Sequence, residues 1–255
     1  IMDEPTSVLT PQEVEILFQT LRKLKSEGKS ILYISHKLEE IRTLCENATV
    51  LRLGKVVGRA DPRAESARSL AELMVGQSLH QPTRVQTKPG EILLQVRDLS
   101  LPPQSAFGTA LRSVNLTVRE GEVFGIGGVA GNGQDELLAA LSGETRSAPG
   151  AIRVKDDNIG HMGPNARRAW GLLCAPEERL GHAAAPDMSL TENALLTGAW
   201  REKLVKRGFV NWRKARGFAE RVIETFDVRT PGPQVAARAL SGGNLQKFVV
   251  GREIL

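Results

Sequence analysis

Val123-Phe124-Gly125-Ile126-Gly127-Gly128-Val129-Ala130-Gly131-Asn132-Gly133-Gln134-Asp135-Glu136-Leu137 is the stretch whose reading decides the fold. Val123–Gly127 reads as a short apolar strand, Gly128–Asp135 as a glycine-rich turn, and Gln134–Ser142 as a helix. A strand running through glycines into a helix suits a phosphate. Glycines let backbone N–H groups turn inward, and the helix N-terminus adds a favourable dipole. The usual loop of this kind ends Gly-Lys-Ser/Thr. Here Gln134 stands at the lysine position and Asp135 at the hydroxyl position. Gln134 brings no positive charge. Asp135 brings a negative one, although a carboxylate can approach a metal. On this stretch alone, a ligand-free strand-to-helix turn has an equal claim.

Outward from that turn the chain alternates strands and helices. Upstream, Glu91–Leu101 and Leu111–Val118 alternate apolar and polar residues like strands. Downstream, Gly171–Ala175 reads as a buried strand, and 189–204, 212–227 and 242–254 carry helical periodicity. Near the start, Gln12–Glu27 places Val14, Leu17, Leu21 and Leu24 on one helical face, with Thr10-Pro11 as its start signal and Gly28 as its stop. Ser30–Ser35 is a short apolar strand, followed by a charged helix. Ala48–Leu53 and Val56–Ala60 form a hairpin around Gly54-Lys55, and 64–75 is helical. Residues 77–90 lack periodicity and hold two prolines, as a linker does.

Three further motifs carry chemistry. Leu240-Ser241-Gly242-Gly243-Asn244-Leu245-Gln246-Lys247 opens a helix with small residues, which suits a polyphosphate approaching end-on; an ordinary Ser-Gly-Gly helix entry is the plainer alternative. Ile1-Met2-Asp3-Glu4-Pro5-Thr6 puts two acids at the end of an apolar strand. Such a pair can divide two tasks: Asp3 holding Mg²⁺ through water, Glu4 orienting and deprotonating an attacking water. Isolated Asp-Glu pairs are more commonly just solvated. His36 ends its strand, where a lone histidine is more often structural or exposed than catalytic.

Composition narrows the class. The chain has 255 residues, 41% apolar and 25% charged, within the range of a globular protein, and 4% aromatic, so aliphatic side chains must build the core. It has no apolar run of the length needed to span a membrane. Ile1-Met2-Asp3-Glu4-Pro5 offers no basic segment ahead of an apolar one, so no secretory leader is expected. Cys45 and Cys174 stand far apart, which suits a reducing compartment. The net charge of +5 includes no block of five like charges, which favours solvated helix faces over a nucleic-acid or membrane-surface partner.

Together the four motifs resemble an ABC ATPase over nearly the whole chain. Asp3-Glu4 is similar to the end of Walker B plus the catalytic glutamate, Ser7–Thr10 to the D-loop, and His36 to the switch histidine. Gly128, Gly131, Asn132, Gly133, Gln134 and Asp135 resemble a degenerate Walker A, and Leu240–Asn244 the signature. Pro176-Glu177-Glu178-Arg179 falls where the family carries its Q-loop, with Glu177 in place of glutamine. The order, with Walker B and the histidine ahead of Walker A and the signature, resembles the middle of a tandem-cassette protein. Residues 1–80 match the C-terminal part of a first cassette, 81–90 a linker, and 91–255 the N-terminal part of a second.

The resemblance implies an α/β fold: a P-loop cassette with an antiparallel β subdomain and a helical subdomain, which the two parts could also close as one circularly permuted cassette. It implies ATP and Mg²⁺, and an importer ATPase at the cytoplasmic face of the inner membrane, attached peripherally. Its partners would be transmembrane permease subunits, the other cassette half and, indirectly, an extracytoplasmic solute-binding protein, with no nucleic acid. Tandem cassettes of this type serve sugar and nucleoside importers; Asp3–Glu13, Gly131–Gln134 and Leu240–Lys247 look closer to the nucleoside branch. In the family each nucleotide lies between one Walker A and the opposite signature. Asp3, Glu4 and His36 would therefore work with Ser241, Gly242 and Gly243, on a lysine-bearing loop expected upstream of Ile1. Gly128–Asp135 would serve a second, slow site. Rival readings are a nucleotide-binding regulator with little hydrolysis, and a soluble ABC protein acting on ribosomes or DNA, against which the short linker argues.

Overall fold

The computed structural model describes residues 1–76, 88–105 and 108–255. Backbone contacts divide the chain into Ile1–Thr87 and Lys88–Leu255, and each unit is built around its own elements. Most of the expected linker, 77–87, lies outside the described residues.

In the first unit, α1 (Pro11–Ser26) starts where its cap predicts. The Thr10 hydroxyl accepts from Glu13 N–H at 3.3 Å, and the Glu13 carboxylate accepts from Thr10 N–H at 2.7 Å. Each side chain satisfies a donor the helix end leaves unpaired. The buried face is Phe18 and Leu21, flanked by half-buried Val14 and Leu17, while Leu24 is 38% exposed and lies off it. Two short strands, β1 (Met2–Asp3) and β2 (Tyr33–Ile34), pair in parallel. Backbone bonds from Met2 to Leu32 and from Glu4 to Ile34 extend the ladder by a step at each end. The strand expected over Ser30–Ser35 is shorter because β1 offers only that much ladder.

The rest of the unit is α2 (Leu38–Leu44), the hairpin β3 (Ala48–Arg52) and β4 (Lys55–Ala60), and α3 (Ala67–Val75). The hairpin turns at Leu53 (φ 51°) and Gly54 (φ 74°), one residue before the expected Gly54-Lys55. Two positive φ values in a two-residue loop match the right-handed strand twist.

The second unit has two cores. Strands β5 (Ile92–Leu101), β6 (Leu111–Arg119), β7 (Ile152–Val154) and β8 (Asp157–Asn158) form an antiparallel sheet ordered β6-β5-β7-β8. Helix α4 (Gln134–Ser142) covers it, burying Leu137 and Ala140 against Val96, Leu99, Leu111 and Ile152. The short helix α5 (Pro164–Ala169) follows. The second core packs α6 (Leu190–Gly198), α7 (Trp212–Thr225) and α8 (Gly242–Ile254) through Leu190, Phe218, Val222, Leu245 and Phe248. The antiparallel β part and the helical part of the expected fold are both present.

Three expectations are corrected. Val123–Gly127 is not a strand; Val123 is fully exposed and Ile126 is 52% exposed. An apolar strand needs neighbours for its N–H and C=O groups. The four strands of that sheet form an antiparallel ladder of their own, and 123–127 pairs with none of them. Gly171–Ala175 likewise has no ladder partner and is irregular. The helix expected over 189–204 stops at Gly198. It gives way to a hairpin of β9 (Val205–Lys206) and β10 (Phe209–Val210).

Candidate functional site

The parallel pairing of β1 with β2 carries Glu4 and His36 together. Glu4 follows β1 directly, and its N–H donates to Ile34 just ahead of His36. Glu4 Oε1 lies 2.5 Å from His36 Nδ1, with both side chains well exposed. Glu4 has φ 42°, a left-handed conformation that a glutamate adopts at a cost of about 1 kcal/mol or more. The turn following it is pinned from behind. The buried Thr6 hydroxyl donates to the Glu40 carboxylate at 2.7 Å, Tyr33 OH donates to the same carboxylate at 2.7 Å, and Lys37 Nζ reaches Thr6 O at 2.8 Å. Burial pushes the Glu40 carboxyl up, but the hydrogen bonds from Tyr33 and Thr6 and the Lys37 charge outweigh it, and the net shift is downward. The Tyr33 hydroxyl is pushed up to about 12, first by burial and then by donating to Glu40.

This brace was missed in the sequence, although Glu40 sits one helical turn after His36 and Thr6 two residues after Glu4. Asp3 is exposed and makes no side-chain hydrogen bond or ion pair among the described residues. Its carboxylate is therefore available to a hydrated cation. A Mg²⁺ held mainly by nucleotide phosphates and water requires only one or two protein carboxylates, so the residues present fit that ion.

In the second unit the glycine-rich turn keeps the left-handed glycines it needs, Gly131 (φ 84°) and Gly133 (φ 102°). Gly128, Gly131 and Asn132 are exposed, and Gly133 is buried as the N-cap of α4. The turn is closed on itself. Gln134 Nε2 donates to Val129 O at 3.0 Å, and Gln134 Oε1 accepts from Asn132 N–H at 3.1 Å. The amide at the lysine position thus occupies a backbone donor that a phosphate oxygen would use. Thr109 holds the loop's outer side, its hydroxyl donating to Gly131 O at 2.7 Å and its N–H to Glu136 at 2.7 Å, a bond that lowers the Glu136 pKa. Asp135 and Glu136 fill the first turn of α4 and already offset the dipole that would attract an anion.

Asp135 and Glu177 line one cleft of about 410 Å³ with Glu144, Glu178, Arg179 and His182. Four carboxylates face two basic groups there, which disfavours a bare polyphosphate. The entry to α8 has the opposite character. Ser241 is its N-cap with no side-chain bond to the backbone, and Ser241, Gly242 and Gly243 are exposed. Asn244 orients Ser241 by donating to its hydroxyl at 2.9 Å, while its own carbonyl accepts from Arg229 N–H at 2.9 Å. A Cβ on Gly242 would collide with the Arg179 guanidinium. Arg179 therefore lends positive charge to open helix N–H groups, an anion-friendly arrangement that the motif alone did not reveal.

A family model described as ABC transporter matches residues 111–255. The nucleoside import ATP-binding protein NupA of Lactococcus lactis is 37% identical over 255 residues, 100% of this chain and 50% of that protein. The ribose import ATP-binding protein RbsA 1 of Rubrobacter xylanophilus is 39% identical over 261 residues, with 100% and 50% covered. The glucose import ATP-binding protein TsgD13 of Haloferax volcanii is 39% identical over 257 residues, with 100% and 46% covered. Among solved structures, the ADP- and Pi-bound dimer of the ATP-binding cassette MJ0796 aligns over 64% of this chain and 69% of that one, at 16% identity and a TM-score of 0.49. The chain spans about half the length of the curated relatives it matches.

Proposed function

The chain belongs to the ABC transporter family, and from that premise we propose that it supplies catalytic groups for ATP hydrolysis driving a membrane importer. The observation that carries the reading is the Glu4–His36 pair at 2.5 Å beside the free Asp3. Glu4 takes a proton from the attacking water, and His36 holds the carboxylate in place for that transfer. Asp3 would hold Mg²⁺ through water, and that ion would supply charge neutralisation at the phosphates. In the complete protein, the exposed Ser241-Gly242-Gly243 entry, made positive by Arg179, receives nucleotide phosphates. The self-closed loop at 128–135 belongs to a second nucleotide position with little or no turnover.

The importer role draws support from relatives whose names are all import ATP-binding proteins. It implies transmembrane permease subunits, indirect service to an extracytoplasmic solute-binding protein, and attachment at the cytoplasmic face of a membrane. Among the described residues no helix is long and apolar enough to cross a membrane, so attachment would be peripheral. The solute class is nucleoside or monosaccharide; Asp3–Glu13, Gly131–Gln134 and Leu240–Lys247 favour the nucleoside. ATP turnover by the complete protein, compared with its Glu4→Gln variant, tests the reading. Loss of a general base lowers turnover by about 10²–10⁴-fold. Equal rates would overturn it in favour of a nucleotide-binding regulator, for which the Gln134-closed loop is the favouring observation.

A further inference from the structure

The hairpin β9–β10 is the least expected element of the chain and the most unusual part of its surface. Residues 200–217 hold seven Lys or Arg against one acid, Glu202, so this short stretch alone exceeds the chain's net charge of +5. Glu202 is already engaged by Arg221 at 2.6 Å, and Arg216 by Glu220 at 2.9 Å. Lys203, Lys206, Arg207, Arg213 and Lys214 have no acidic partner among the described residues. The same stretch displays Trp200 at 86% exposure, Phe209 at 80% and Trp212 at 54%.

The geometry is built, not frayed. The turn Arg207 (φ 52°) and Gly208 (φ 82°) is a tight two-residue reversal. Phe209 pairs with Lys206, and Val210 with Val205. Leu204, at the base, is buried in the helical core and accepts from Asn211 N–H at 2.8 Å. Asn211 then caps α7, accepting from Lys214 N–H at 3.0 Å. Lys206, Arg207, Phe209 and Trp212 line one shallow surface. A rigid stem thus presents uncovered aromatic rings among uncompensated cations. Nothing in the hydrolytic chemistry uses it.

We propose that this hairpin docks on an anionic lipid headgroup surface, with Phe209 and Trp212 entering the interface and Lys206, Arg207 and Arg213 facing lipid phosphates. The Trp212 ring favours the depth of the headgroups, the Phe209 ring gains by leaving water, and each nearby Lys or Arg adds about 1 kcal/mol of attraction to an anionic leaflet. The choice of lipid over nucleic acid, which also attracts basic and aromatic groups, rests on the importer reading.

The test is co-sedimentation of the full chain with vesicles, without ATP. Phosphatidylglycerol-rich vesicles should bind it and pure phosphatidylcholine vesicles should not, with a blue shift of tryptophan emission and weakening by salt. Lys206→Ala/Arg207→Ala should lower vesicle affinity roughly fivefold per charge, about thirtyfold for the pair. Phe209→Ser should weaken binding and reduce the blue shift. Both changes lie on the exposed tip, and circular dichroism checks that the helical core persists. Equal binding to both vesicle types, wild-type binding by these variants, or binding of single-stranded DNA in preference to vesicles would overturn the proposal. ATP turnover plays no part in this readout, so its failure is separate from failure of the hydrolytic reading.

Discussion

Gln134 shows how one side chain alters a whole motif. Lysine at that position would project a charge toward phosphates; the glutamine amide folds back and bonds Val129 O and Asn132 N–H. Restoring Gln134→Lys returns a cation but leaves Asp135 and Glu136 in the first turn of α4. Turnover by the complete protein should therefore change less than about twofold, the scale of a weak exposed charge. A large gain in the steady-state rate would place productive hydrolysis at this loop. Substitution of the lysine was legible in the sequence, but the self-closure was not, because it depends on a rotamer meeting backbone two and five residues away. Asp3, Glu4 and His36 were legible as residue types. That Glu4 and His36 touch was not, since 32 positions separate them and only the strand pairing closes that gap.

At the scale of elements, the loop after Glu4 is held against α2 by the Thr6–Glu40–Tyr33 bonds. Tyr33 is the chain's one tyrosine, so its phenolate absorbance reports this brace alone. Its folded value, raised from 10.0 to about 12, means that the brace favours folding below pH 10 and loses that contribution as pH rises toward 12. The phenolate should titrate near 12 in the folded chain and near 10 in urea. Glu40→Gln should move the folded titration back toward 10; an unmoved titration would remove Glu40 from the brace. Elements with strong local signals appear as read: α1, α4, α7 and α8 lie within a residue or two of their expected spans. The short β9–β10 hairpin falls between the helical patterns at 189–204 and 212–227. Its strands are two residues each, too short for an alternation to register.

The second unit carries two cores of different make. The helical core of Lys88–Leu255 centres on Phe218, which is 1% exposed. A Cβ on Gly198 would come within 2.7 Å of its ring, so α6 and α7 pack at a glycine contact. Phe218→Ala should cost about 3–5 kcal/mol there, because the cavity cannot be filled by neighbours already in contact. All three tryptophans lie in this unit and the tyrosine in the other. Denaturant unfolding followed by tryptophan emission should shift by that amount, while the Tyr33 signal stays at its wild-type midpoint. A matching shift in both signals would show that the two units unfold as one.

The sequence by itself determined the family, the α/β class, the helices with caps and full periodicity, and the residue types at the proposed site. Those properties are local: a cap, a glycine turn or an acid pair is written in a few adjacent residues. Only the tertiary structure decided that Glu4 meets His36, that Thr6, Tyr33 and Glu40 lock the turn behind them, that Arg179 stands over Gly242, and that 123–127 lacks a ladder. These depend on which segments pair and pack across long stretches of chain. An apolar run such as Val123–Gly127 declares that it would be buried in a sheet, but its neighbours determine whether a sheet is there to receive it.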